Sequence, residues 1–210
     1  MNFLAHLVLA PDSAEGMVGA LAPDLIRGPL PRDLRPGVLD AAREHQLIDR
    51  VTDAHRAFFT VRDRLRPVLG RYAGIAADVL LDHGLASHWE DYRPVAHEDL
   101  PGYAQRVGGI LTAHRHLMPE RMQYATAMMV EQDWLSGYAT IAGIRLTLER
   151  MSRRFSERLN RVVELTPAAD LIMGDSAWLH AAFGTLWPDL RSAVARSRLA
   201  LTHARKQTTR

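Results

Sequence analysis

Val38-Leu-Asp-Ala-Ala-Arg-Glu-His45-Gln-Leu-Ile-Asp49-Arg-Val-Thr-Asp53-Ala-His-Arg-Ala-Phe58-Phe-Thr-Val61-Arg-Asp-Arg-Leu65 is the stretch that decides the fold class. Its apolar residues recur at helical spacing, with Val38, Ala41, Ala42, Leu47, Ile48, Val51, Phe58, Val61 and Leu65 on the inward side. The pattern predicts one long helix over 38–65. Four residues advance a helix by a little more than one turn, about 40° past full circle. His45, Asp49 and Asp53 therefore form a polar stripe beside the apolar face. A neutral imidazole one turn from a carboxylate can share a divalent cation with it, or one group can orient the other. A solvated i,i+4 Asp–His pair has the same spacing.

Working outward, the same periodicity recurs and no strand alternation lies between the turn signals. Phe3, Leu4, Leu7 and Val8 make a short first helix closed by Pro11, with His6 on its apolar face. Ser13 opens a second short helix that runs towards Pro23 and leaves Asp24 near its end. Gly28-Pro29-Leu30-Pro31 breaks the chain, and loop is expected on to Pro36. Further helices are predicted near Tyr72–Trp89, Leu100–His116, Glu120–Gln132, Ala139–Phe155, part of Glu157–Leu171, and Ser176–His203. The pair Gly108-Gly109 weakens one of these. A single compact all-α domain over 1–205 with a frayed tail at 206–210 is the architecture expected.

Composition supports one self-sufficient core: 210 residues are 47% apolar, and one domain per about 150 residues is the usual scale. There is no cysteine, which excludes disulfides, thiolate metal sites and cysteine nucleophiles. Any metal must be held by His, Asp, Glu or water, donors that suit manganese, magnesium, iron or zinc. No run approaches the roughly 18 apolar residues of a membrane span. The apolar opening lacks a basic leader and carries His6, so a cytoplasmic protein that keeps its N-terminus is expected. The formal charge is +2, unevenly placed: from Arg145 onward there are 12 Lys+Arg against 6 Asp+Glu. A basic C-terminal third suits an acidic partner or a phosphate; a solvated helix surface has the same composition.

Asp78-Val-Leu-Leu-Asp82-His83-Gly-Leu-Ala-Ser-His88-Trp89 is the second informative segment. Asp78 and Asp82 share one face, and Ile75, Val79, Leu80, Leu81 and Leu85 make the helix apolar almost all round, hence buried. Buried carboxylates are costly unless paired or coordinated. A cation satisfies them, as would salt bridges to arginines of neighbouring helices. Two such helices satisfy each other best across a shared cation, so His45, Asp49, Asp82 and His83 are expected to converge, with Asp24 nearby and His6 as a further member. Asp24 is three residues from Arg27, with which it can form a simple surface pair. His114-Arg-His116 has ring spacing that points to different faces and reads as surface. No P-loop, dinucleotide fingerprint, zinc-finger spacing or Gly-x-Ser-x-Gly elbow is present.

Four segments in order, Asn2-Phe-Leu-Ala-His6-Leu, Asp24-Leu-Ile-Arg27-Gly28, His45-x-x-Ile-Asp49-x-x-Thr-Asp53 and Asp78-Val-x-x-Asp82-His83-x-x-x-x-His88-Trp89, resemble the acyl carrier protein phosphodiesterase family, an all-helical branch related to the HD-type phosphohydrolases. The resemblance covers residues 1–90 and is traceable through Trp134-Leu135, Tyr138 and Met151-Ser-Arg153-Arg154 to about 165. It implies manganese-assisted hydrolysis, with magnesium or iron as alternatives, of the phosphodiester joining 4′-phosphopantetheine to a serine of acyl carrier protein, an acidic protein substrate. It further implies His6, Asp24, His45, Asp49, Asp82 and His83 as metal ligands, Asp24, Asp82 and His83 in catalysis, and Arg27, Arg153 and Arg154 on the phosphate. Nucleic acid is not among the partners implied. The Asp82-His83 doublet reverses the usual HD-superfamily order, as expected of this branch, and Gln46 and Leu47 stand where members of the family carry two arginines. Two other readings fit the residues: an HD-like phosphohydrolase of a small phosphate ester or nucleotide, and a non-catalytic helical module that binds an acidic protein.

Overall fold

The 38–65 stretch forms two helices rather than one. In the computed structural model, which describes residues 1–208 with side chains through His203, α3 (Pro36–Ala54) stops at His55, whose backbone is extended at φ −84° and ψ 141°. There the His55 Nδ1 accepts from the Ala57 amide and caps α4 (Arg56–Leu69). A side-chain acceptor at the first turn satisfies an otherwise orphaned N–H, which is what makes a break at this point cheap. His55 Nε2 is also 3.2 Å from Asp189 of the last helix, so the break is fixed by a tertiary contact.

The remaining elements are α1 (Phe3–Leu9), α2 (Ala14–Leu25), α5 (Ala73–Ser87), α6 (Trp89–Tyr92), α7 (Leu100–Ala113), α8 (Glu120–Glu131), α9 (Trp134–Gly137), α10 (Ile141–Leu159), α11 (Pro167–Gly174) and α12 (Ala177–Thr208). Short 3₁₀ turns cover Gly70–Tyr72 and Arg115–Leu117. No strand occurs among the described residues, and the helices form one compact all-α domain. The tail expected at 206–210 lies outside the residues whose side chains are described. Gly108 does not interrupt α7: a Cβ there would sit 3.1 Å from Val130, so the glycine lets α7 and α8 approach closely. Asn160, in the left-handed region at φ 48°, ends α10 four residues later than expected.

α5 is the central element. Ala76, Ala77, Val79, Leu80, Leu81 and Leu85 are fully buried, with α1, α4, α10 and α12 packed around them. Each such leucine contributes about 1.5–3 kcal/mol through burial alone.

Two pairings set the site. α1 runs alongside α5 in the same direction: Met1 meets Asp78, and Leu4 meets Asp82. α2 and α3 also run parallel. Glu15 lies against Gly37, Gly19 against Val38 and Ala41, and Asp24 near His45. The loop 26–35, with Gly28 at φ 84°, carries the chain back between them. A Cβ on Gly19 would come within 2.3 Å of the Val38 carbonyl oxygen. Only glycine allows this close seam, which brings the end of α2 to the middle of α3.

Candidate metal centre

His6 from α1 and His45 and Asp49 from α3 meet where these pairings converge. The Asp49 carboxylate faces both rings: Oδ1 is 3.1 Å from His6 Nε2, and Oδ2 is 3.1 Å from His45 Nε2. The two imidazoles stack, with centroids 3.6 Å apart and planes at 11°. One ligand atom from each of the three residues lies within 4.8 Å of the others. Asp24, in the last turn of α2, adds a carboxylate oxygen 3.7 Å from His45 Nε2.

The tautomer of His45 follows from its partners. Its Nδ1 is 2.7 Å from the Ala20 carbonyl oxygen, which can only accept, so Nδ1 carries a proton. Nε2 then faces the Asp49 carboxylate either as a lone pair or with a second proton. Two bases 3.1 Å apart need a cation between them, a proton or a metal ion. Burial works against a charge on His45, but Asp49 and Asp24 outweigh it and raise its pKa. His6 is fully buried, and neither ring nitrogen has an aligned hydrogen-bond partner. Burial lowers its pKa to about 4, so it is a neutral imidazole at ordinary pH. Burial also presses on Asp49, yet His45 and His6 beside it hold its carboxyl well below the usual carboxylate range. A neutral buried imidazole without an aligned hydrogen bond, a second imidazole locked from behind by a carbonyl, and an ionised carboxylate are together a fitting donor set for a divalent cation.

A polar surround completes the site. The Met1 ammonium donates to Asp78 Oδ1 at 2.8 Å and lies 3.7 Å from Asp49 Oδ1. Burial raises the Asp78 carboxyl, with the ammonium pulling the other way; Asp53 is exposed nearby and acts in the same sense as burial. Burial likewise raises Asp24, opposed by His45 and by Arg154 of α10, whose charge reaches this carboxyl.

Asp82 and His83, expected in the same cluster, lie outside the three-residue group. Asp82 is fully buried and turns to the start of α1, where Oδ2 accepts from the Leu4 amide at 2.8 Å and Oδ1 from the Ala5 amide at 3.3 Å. Burial pushes its carboxyl up to about 7, against the Met1 ammonium and these two amides. The unpaired amides of a helix N-terminus attract a carboxylate, and that attraction orients Asp82. The adjacent His83 projects about 100° further round α5. Its Nδ1 donates to the Tyr138 carbonyl at 2.7 Å, at the junction of α9 and α10. Arg27 and Arg153 are exposed, with no ion pair among the described residues. The alternative Asp24–Arg27 pair does not form among the described residues; Asp24 turns towards His45 instead. The Ala20 carbonyl and the Met1 ammonium had no sequence signal, since both act through backbone groups brought in by tertiary pairing.

The family model described as acyl carrier protein phosphodiesterase matches residues 1–190. Proteins of that name are among the relatives: one from Photorhabdus laumondii is 32% identical over 154 residues, 73% of this chain and 77% of the relative. One from Serratia proteamaculans is 33% identical over 160 residues, 73% of this chain and 79% of its own. One from Yersinia pestis is 31% identical over 154 residues, with 73% and 79% covered. No solved structure matches the chain.

Proposed function

The chain belongs to the acyl carrier protein phosphodiesterase family, and we propose that it is itself a metal-dependent phosphodiesterase that releases 4′-phosphopantetheine from holo-acyl carrier protein in the cytoplasm. The relatives' names support the substrate. The observation that carries the metal dependence is the His6–His45–Asp49 group, with two imidazoles and a carboxylate converging and His6 otherwise without a hydrogen-bond partner. The helical fold and the Asp82-His83 doublet are compatible with an HD-like phosphohydrolase in which the doublet is reversed.

In this reading His6, His45 and Asp49 hold the cation, manganese by family resemblance, and Asp24 supplies a fourth oxygen. The cation, when bound, provides charge for the phosphoryl oxygens and acidifies water. The chain's own groups do the rest. The Ala20 carbonyl keeps His45 with its proton on Nδ1 and its lone pair on Nε2. Asp24, whose carboxylate oxygen lies 3.7 Å from His45 Nε2, would close the donor set from the end of α2. Arg154 lies near Asp24, and with Arg27 it neutralises the phosphate, as guanidinium forks do. Arg153 is one step further round α10 and contributes to the general positive field. Asp82 acts through His6 by anchoring the start of α1, and His83 acts by tying α5 to the α9–α10 junction; both are positioning residues.

The test is incubation with holo-acyl carrier protein and manganese, followed by intact-protein mass measurement. The carrier should lose the mass of 4′-phosphopantetheine with manganese and keep it with chelator. An unchanged mass under both conditions, alongside manganese-dependent cleavage of a small phosphodiester, would assign the enzyme to small esters instead.

A further inference from the structure

One flank of α10 carries a row of arginines. Arg150, Arg154 and Arg158 follow one another at four-residue spacing, which places them along one side of the helix over about 12 Å. None makes an ion pair among the described residues, although α10 also bears Glu149 and Glu157. Other arginines of the region are engaged: Arg145 pairs with Asp170, and Arg161 hydrogen-bonds the Tyr72 hydroxyl. The flank is continuous with the candidate metal centre. The Arg150 guanidinium lies over the Trp134 ring at 5.7 Å, Trp134 stacks on Phe3 of α1, and the charge of Arg154 reaches Asp24. Exposed apolar side chains stand at its two ends, Leu146 one turn before Arg150 and Val162, 90% exposed, four residues after Arg158.

We propose that this flank is the docking surface for an acidic helix of the protein substrate, with Arg150, Arg154 and Arg158 meeting carboxylates spaced by turns of that helix. Three arginines set about 6 Å apart along the helix axis match the rise of acidic side chains at i, i+4 and i+8. The apolar ends fit a protein surface, whose contacts mix charged and apolar groups. Docking here sets one phosphodiester beside the metal centre and keeps the rest of the acidic partner on the arginines. It also offers cationic contacts in place of the arginines absent at Gln46 and Leu47. The partner's identity rests on the phosphodiesterase reading; the surface itself does not.

The experiment measures binding and turnover separately. Fluorescently labelled holo-acyl carrier protein is titrated with wild type, with Arg150→Gln/Arg158→Gln, and with Arg191→Gln/Arg196→Gln, which removes the same charge from exposed positions on α12. Arg154 is left in place because it also serves the phosphate. At about 0.05 M salt the α10 variant should bind at least roughly fivefold more weakly, and by about 0.5 M the gap should close. The α12 variant should bind as wild type. In turnover, KM for the carrier should rise with the α10 changes and kcat should hold. Equal binding by all three proteins, or equal loss in both variants, would overturn the docking surface. Wild type that hydrolyses the carrier with equal binding by the variants retains the phosphodiesterase and removes the docking site. Wild type that binds through α10 but never cleaves the carrier does the reverse.

Discussion

Asp49→Asn should lower phosphodiesterase activity by about a thousandfold or more, because metal-assisted chemistry depends on the cation being held. The substitution keeps the shape of the side chain and removes the one ionised group that faces both His6 and His45. Its effect on stability should depend on the metal. Manganese should raise the melting temperature of wild type through binding linkage, and the variant should gain far less. In chelator the variant should melt lower, because the folded state favours the ionised Asp49 beside His45, His6 and the Met1 ammonium, but only modestly, since the side chain is 39% exposed and its charge is partly screened. Thermal melts with manganese and with chelator make the comparison. A variant with a full manganese-dependent rise would mean that Asp49 is not a ligand.

Asp82→Ala should behave in the opposite way, with a large loss of stability whether or not metal is present. Its two oxygens accept from the amides of Leu4 and Ala5 inside the core. Removing them strands two buried donors at the start of α1, at about 1–3 kcal/mol each. The loss should total several kcal/mol and appear in chelator as a lower urea midpoint at unchanged slope. Because α1 carries His6, manganese affinity should fall as well, although Asp82 touches no ligand atom. Wild-type stability in chelator, with manganese binding abolished, would return Asp82 to the ligand set.

Some of this was legible in the sequence because it follows from periodicity. α5 reads as a buried helix from its all-round apolar composition, and it is the element around which the others pack. The His45–Asp49 stripe reads correctly because i,i+4 spacing is a local property. What failed was tertiary. The break at His55 has no glycine or proline to announce it and depends on a histidine cap and on Asp189, far along the chain. Asp82 carried the same apparent signal as Asp49, a carboxylate beside a histidine on a helix. Its direction is decided by the amides of α1, and no spacing within α5 reveals them. His6 alone reads more as a core histidine than as a ligand; the packing of α1 on α2 and α5, and of α2 on α3, sets it against His45. The family resemblance, traceable by motif to about residue 165, extends through the first part of α12 to residue 190, where apolar positions such as Phe183 and Leu186 carry packing rather than chemistry.

Manganese anomalous scattering from a soaked crystal tests whether the proposed His6–His45–Asp49 group holds the cation. A single strong peak should stand within coordination distance of nitrogen atoms of His6 and His45 and an oxygen of Asp49, and be absent from crystals of Asp49→Asn. A peak bound instead between Asp82 and His83, or no peak in crystals that retain manganese-dependent activity in solution, would contradict it.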